Sequence, residues 1–302
     1  MQVYNLPIKR IERSLFMSDQ CNTCPSKAGC SAEPATCGVT PEKTLLGSLN
    51  NIKHVIVVMS GKGGVGKSSV TGLLATSLAQ RGYKVGILDA DITGPSQPKA
   101  FGLGKEVNLH ASDYGIIPPE SKTGIKIMSI NFFLPNEDDP VIWRGPLLAG
   151  AVNQFWGEVD WRDLDYMIVD LPPGTGDVPL TVLQSIPVDG IVIVSSPQDL
   201  AFMVVKKTIK MTQKMNIPIM GIIENMSYDI CSHCNEKLEL FGKSKGEEVA
   251  RETNVDFLGG VPWDASFNAL VDEGRIEEYD TKPVAGIVDK LIQKLSGLKG
   301  KD

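Results

Sequence analysis

The chain has 302 residues, of which 42% are hydrophobic, so it can bury a large core in one or two domains. Its formal net charge of −6 gives no general attraction to nucleic acid or to anionic membranes. No run of about 18 uninterrupted apolar residues is present, and Lys9, Arg10, Glu12 and Arg13 break up the apolar core that a secretory leader would need, so a cytoplasmic protein with no nucleic-acid or membrane partner is expected.

Residues 1–50 read as a separate extension and linker, rich in Ser, Gly, Pro, Ala and Lys and unable to form a core alone. They carry Cys21, Cys24, Cys30 and Cys37 in the spacing C-x2-C-x5-C-x6-C. Four thiolates so close in sequence suit one metal centre, either a cubane iron–sulfur cluster or a tetrahedral zinc, and the spacing does not choose between them. Free thiols or a disulfide are the plainer alternative. Pro41–Asn50 reads as a linker, and residues 51–302 as the main domain.

From His54 onward strands alternate with helices, the pattern of a mostly parallel sheet covered by helices on both faces. Strands are expected at Val55–Met59, Lys84–Leu88, Tyr166–Val169, Gly190–Ser195, Ile219–Ile223 and Phe257–Val261. Helices are expected from Lys67 to about Gln80 and at Leu147–Glu158, Val178–Ser185, Ala201–Met215, Lys245–Thr253 and Val284–Leu298. Functional groups should gather at the carboxyl ends of the strands.

The first strand runs into Gly61-Lys62-Gly63-Gly64-Val65-Gly66-Lys67-Ser68-Ser69, which satisfies the phosphate-loop template G-x-x-x-x-G-K-[ST] between a strand and a helix. Glycines let backbone N–H groups close around phosphate oxygens, Lys67 adds a point charge, and Ser68 offers a hydroxyl to magnesium. A bare glycine-rich turn is the bland alternative. The second strand ends in Asp89 and Asp91, suited to a magnesium shell or to orienting an attacking water, or else to a solvated turn. Asp170 closes another apolar strand at the position that holds magnesium in such sites, and Pro172, Pro173, Gly174 and Gly176 follow as a switch-like loop.

No Asn-Lys-x-Asp guanine reader occurs, so adenine is the default base. Asn225, in Glu224-Asn-Met-Ser227 at the end of a further strand, offers an amide to a purine edge, although a plain turn asparagine would look the same. Just beyond lie Cys231 and Cys234. They supply half the ligands of a cubane or a zinc site, and a two-fold dimer would complete the set. A redox C-x-x-C pair, or a zinc site recruiting His233, are the alternatives; His54 and His110 read as ordinary core or surface histidines.

Lys62 narrows the class. A second lysine inside the glycine loop resembles the deviant Walker A loop of the ATPases related to MinD, ParA and the nitrogenase iron protein. That resemblance implies a dimer in which Lys62 reaches the partner's nucleotide. The motifs Gly61–Ser69, Asp89–Ser96, Trp143–Pro146, Asp170–Asp177, Glu224–Ser227 and C-x-x-C together resemble the Mrp/ApbC family of ATP-binding iron–sulfur cluster carriers, from about Ile52 to Leu298. Some of its eukaryotic relatives also have an N-terminal cysteine extension. The resemblance implies ATP and Mg2+ bound through Lys67, Ser68, Asp91 and Asp170, slow hydrolysis with Lys62 and Lys67 engaged, and a labile [4Fe-4S] cluster bridging Cys231 and Cys234 of two subunits. Apo client proteins and upstream assembly factors would be the other partners. Two positions depart from the family: Ser232 stands where many members have proline, and Pro7 where the extended relatives have their first cysteine, with Cys37 downstream instead. An ATP-gated electron carrier like the nitrogenase iron protein, or a MinD/ParA-like positioning ATPase, are the alternative functions.

Overall fold

The computed structural model describes residues 46–298 except 48, 92, 93, 95, 105, 106, 134–144 and 232. Cys21, Cys24, Cys30 and Cys37 therefore lie outside the described residues, as do Trp143 and Arg144.

The chain begins with β1 (Asn51–Ser60), α1 (Lys67–Gln80), β2 (Val85–Asp89) and the single turn α2 (Gln97–Ala100). The short strands β3 (His110–Ser112) and β4 (Gly115–Ile117) form an antiparallel pair. Then come β5 (Lys126–Ser129), α3 (Gly145–Glu158), β6 (Asp163–Asp170), α4 (Asp177–Ser185), β7 (Gly190–Ser195) and α5 (Asp199–Lys214). The last part holds β8 (Ile219–Ile230), β9 (Lys237–Leu238), α6 (Gly246–Thr253), β10 (Phe257–Pro262), α7 (Ala265–Asp272) and α8 (Ala285–Leu298). The main sheet runs in the order β10-β8-β7-β1-β6-β2-β5 with every pair parallel, and β9 joins β8 antiparallel.

The apolar β-branched runs become central strands because both faces are covered. In β1, Ile56 and Val58 join a core with Leu73, Leu74 and Leu78 of α1 and Leu291 and Leu295 of α8. Val55, Val57 and Met59 face the opposite core, with Trp156 of α3, Leu183 of α4 and Ile209 of α5. Ile56, Ile168 and Ile87 lie in register across β1, β6 and β2, all within the α1 core. In α8, Ile287, Leu291 and Leu295 are buried in the core, so the apolar stripe of this helix is occupied by packing. No described helix is long and apolar enough to cross a membrane.

Every expected strand and helix is present, some with longer bounds. The main correction concerns β8. It does not stop at Ile223 but continues to Ile230, so Asn225 lies within the strand rather than at its end, and Cys231 follows directly. β3, β4, β5, β9, α2 and α7 were not anticipated; they are short, and β5 is an edge strand of the sheet. His54 stacks on Tyr166 with ring centroids 5.3 Å apart, and His110 is exposed in β3.

Ile168 is fully buried at the centre of this packing. Ile168→Ala is expected to lower the unfolding free energy by about 2–5 kcal/mol, read from urea unfolding followed by circular dichroism.

Candidate functional site

The strand order brings the carboxyl ends of β1, β2 and β6 side by side, with Asp170 in register with both Val58 and Asp89. The loop after β1 turns into α1 through Gly64 (φ +78°) and Gly66 (φ +74°), both in the left-handed region that glycine adopts without penalty. No side chain caps the start of α1, so its opening amides are left for an anionic ligand. The loop is held from two sides. A Cβ on Gly61 would lie 2.5 Å from Val204 Cγ1, so α5 packs directly on it, and Gly174 N donates to Ser60 O at 2.8 Å, tying the Pro172–Gly176 loop to the end of β1.

Lys67 is 5% exposed and reaches back between carboxylates. Its Nζ donates to Asp170 Oδ1 and lies 3.3 Å from Asp91 Oδ2. Asp170, fully buried, also accepts from Thr71 Oγ1 at 3.1 Å and from Gln97 Nε2 at 3.0 Å. Asp89 accepts from Asp91 N at 3.2 Å, Gln97 N at 3.3 Å and Ser129 Oγ at 3.3 Å. Burial alone would push the Lys67 ammonium down, but the charges of Asp170 and Asp91 outweigh it and hold the group above its ordinary value. Burial, and then the charge of Asp170, push Asp89 up to about 8 despite the pull of Lys67.

This donor set fits a magnesium nucleotide. Glycines that leave the loop's backbone amides uncovered, the Lys67 ammonium, the Ser68 hydroxyl and the carboxylates of Asp91 and Asp170 are hard-oxygen and phosphate chemistry. Among the described residues no three His, Cys, Asp or Glu side chains form a ready-made metal cage.

Asn225 is buried and its Nδ2 donates to Val65 O at 3.0 Å, which sets it against the loop. A small cleft opens beside it, bordered by Gly66, Ser69, Trp263, Phe267 and Tyr279. Lys62 Nζ donates to Gln198 Oε1 at 2.6 Å.

The structure keeps Cys231 and Cys234 apart from this cluster, in a tight turn joining β8 to β9. Cys231 N donates to Glu236 O and Asn235 N to Cys231 O, each at 2.9 Å, and Asn235 is left-handed (φ +61°). Both thiols are free, Cys231 half-buried and Cys234 exposed. The backbone N–H of Cys234, and then that of His233, hold the Cys231 thiol below its ordinary value, favouring the thiolate that binds metal. Around the turn Ile230, Leu238, Leu240 and Phe241 stand exposed.

Sequence reasoning missed Gln97, Thr71 and Ser129, polar residues that ligate the carboxylates but look like ordinary turn, helix and strand residues. Gln97 stands out, because it bonds Ser68 O at 2.9 Å as well as Asp170 and Asp89, joining three motifs. The cleft walls on β10 and α7 were missed too. Their one sequence signal is Asp264, which caps α7 by accepting from Ser266 N at 2.8 Å.

Residues 51–296 match the family model described as ParA: NUBPL iron-transfer P-loop NTPase. Proteins named iron-sulfur cluster carrier protein are 45% identical in Clostridium perfringens, over 86% of this chain and 91% of theirs, and 44% identical in Methanocaldococcus jannaschii, over 93% and 98%. A solved nucleotide-binding protein in complex with ADP from Archaeoglobus fulgidus is 47% identical with a TM-score of 0.68, covering 76% of this chain and 89% of its own. The cell-division protein MinD of Aquifex aeolicus, at 20% identity and a TM-score of 0.54 over 80% of this chain and 97% of its own, shares the fold.

Gly66 generates a direct test. A Cβ there would fall 2.1 Å from Asn225 Nδ2 on a left-handed backbone. Gly66→Ala is expected to weaken ADP binding by about tenfold or more, through roughly 1.4 kcal/mol or more of strain and displaced contact, as measured by isothermal titration calorimetry.

Proposed function

The chain belongs to the family of NUBPL iron-transfer P-loop NTPases, and from that premise we propose that it is an ATP-hydrolysing carrier that assembles a [4Fe-4S] cluster and passes it to apoproteins. The observation that carries this reading is the presence, in one domain, of a phosphate loop with its buried carboxylates and an exposed, thiolate-favouring C-x-x-C turn at the end of β8.

In this reading ATP is the substrate of the first site. The loop Gly61–Ser69 wraps the phosphates with its amides, and Asn225 reads the adenine at the adjoining cleft. Lys67 exchanges its carboxylate partners for phosphate oxygens, which frees Asp91 and Asp170. Magnesium, held by Ser68, Asp91 and Asp170, would neutralise phosphate charge. Asp91 orients the water that attacks the γ-phosphorus as the bond to the β–γ bridging oxygen breaks, giving ADP and phosphate. Lys62 leaves Gln198 and reaches the partner's nucleotide when the dimer closes.

The cluster is cargo at the second site. Cys231 and Cys234 give two thiolates per subunit, and a two-fold homodimer gives four. The exposed apolar residues around the turn support such a contact, since apolar side chains gathered at a surface mark interaction sites. We assign residues 1–50 as an extension whose Cys21, Cys24, Cys30 and Cys37 hold a second cluster, and residues 51–302 as the ATPase domain. A reducing, cytoplasmic setting suits both thiolate sites.

The alternatives draw less support. A reductase like the nitrogenase iron protein takes its cluster ligands from separate loops, whereas here both thiols share one turn. A positioning ATPase with a C-terminal membrane helix would need the apolar stripe that α8 buries in the core.

Anaerobic reconstitution tests the reading. Iron and sulfide are expected to bind in equal amounts, with transfer to an apoprotein lost in the Cys231→Ser/Cys234→Ser variant. Lys67→Ala is expected to lower ATP hydrolysis about 10²-fold or more. Binding of zinc alone, or normal transfer by the double variant, would overturn it.

A further inference from the structure

β8 is not a continuous ladder. While β10 advances from Gly260 to Pro262, β8 advances from Glu224 to Tyr228, so β8 carries two additional residues over this stretch. They are taken up in a bulge at Asn225–Ser227, where Met226 has φ +54°. A bulky side chain in the left-handed region is uncommon, and such residues persist only where the surroundings hold them.

The surroundings here are specific. Glu224, 1% exposed, clamps the bulge through Oε2, which accepts from Ser227 Oγ at 2.6 Å, and through Oε1, which accepts from Lys245 N at 2.9 Å. β10 makes room with Gly260, where a Cβ would lie 2.7 Å from Ser227 Oγ. On the loop side Asn225 Nδ2 holds Val65 O. On the far side the strand resumes when Trp263 N donates to Tyr228 O at 2.7 Å. Asp229 and Ile230 then pair with Leu238 and Lys237, and Cys231 follows. One short backbone segment thus touches the phosphate loop at one end and carries the thiol turn at the other.

We propose that the Asn225–Ser227 bulge is the relay by which nucleotide in the phosphate loop alters the exposure and metal grip of Cys231 and Cys234, with Met226 as its positioning residue. This rests on the reading that the loop holds nucleotide and the two thiols hold the cargo. A phosphate loop closing on its ligand moves Val65, and Val65 O pulls Asn225 with it. The strand beyond is fixed in register to β9 and β10, so the displacement is passed along it rather than absorbed. The strained φ of Met226 gives the bulge a second, negative-φ conformation within reach, which is what a two-state element needs. Glycine at this position removes the penalty of the left-handed conformation and so biases the bulge toward it, away from the second conformation that the relay needs.

The test uses the full chain with Cys21, Cys24, Cys30 and Cys37 replaced by serine, leaving Cys231 and Cys234 as its cysteines. Without iron, the rate of thiol reaction with Ellman's reagent is measured alone, with ADP and with a non-hydrolysable ATP analogue, each saturating. The parent is expected to respond to nucleotide on the order of fivefold. Met226→Gly is expected to bring that ratio close to one at saturating nucleotide, and Ser227→Ala, which loosens the Glu224 clamp, to reduce it part-way. Circular dichroism and equilibrium dialysis confirm that each variant is folded and nucleotide-bound. A full response in folded Met226→Gly and Ser227→Ala would overturn the relay while leaving the carrier reading intact. A nucleotide-bound parent without any response would overturn the relay too. A parent that binds no nucleotide would instead overturn the reading on which the relay rests.

Discussion

One buried ammonium serving several buried carboxylates governs this molecule. Lys67 sits against Asp170 and Asp91, with Asp89 beside them, in a pocket where water cannot screen the charges. Carboxylates outnumber the cation, and the structure answers by raising the proton affinity of Asp89 and by spending polar side chains, Thr71, Gln97 and Ser129, on the oxygens. Such a cluster is poised for exchange. A ligand that brings both phosphate oxygens for Lys67 and a divalent cation for the carboxylates satisfies every member at once, whereas either alone leaves charge uncompensated. The order of the sheet follows the same need, because only neighbouring strand ends of β1, β2 and β6 bring these groups within bonding distance.

The second site has the opposite physics. The thiols stand at the surface, in a turn fixed by backbone hydrogen bonds, where amides lower the cost of a thiolate without burying it. Ligands that are preformed yet exposed suit cargo that must leave. β8 meets the phosphate loop through Asn225 and runs on to the thiol turn, so one strand spans the distance between the two sites. If they are coupled, the coupling is reciprocal: cargo must change nucleotide affinity by the factor that nucleotide changes cargo affinity.

Much of this was legible in the sequence because the signals are local. Gly61–Ser69 needs its glycines for conformation and its lysine for charge, and both survive in the one-dimensional pattern. The six long strands were legible as well, since burial on both faces leaves uninterrupted β-branched runs. Gln97 was not: it acts through contacts 29 and 73 residues away, and nothing local marks a glutamine after Gly-Pro-Ser as a carboxylate ligand. The length of β8 was hidden for a related reason. Asn225, Met226 and Ser227 read as a turn, which they locally resemble, and only the pairing of Glu224 and Tyr228 with β10 on either side, and the Glu224 clamp on Ser227, carry the strand through them. The cleft walls Trp263 and Phe267 come from a loop and helix after the last strand, far in sequence from the residues they face.

If nucleotide sets the hold on cargo at Cys231 and Cys234, the rate at which a chelator strips iron from cluster-loaded protein must differ with and without a non-hydrolysable ATP analogue. The comparison is between a variant lacking Cys21, Cys24, Cys30 and Cys37 and one lacking Cys231 and Cys234. The account expects iron held by Cys231 and Cys234 to be lost faster and at a rate that changes with nucleotide, and iron held by the N-terminal cysteines to be lost slowly and indifferently. Equal rates at both sites, unmoved by nucleotide, would contradict it.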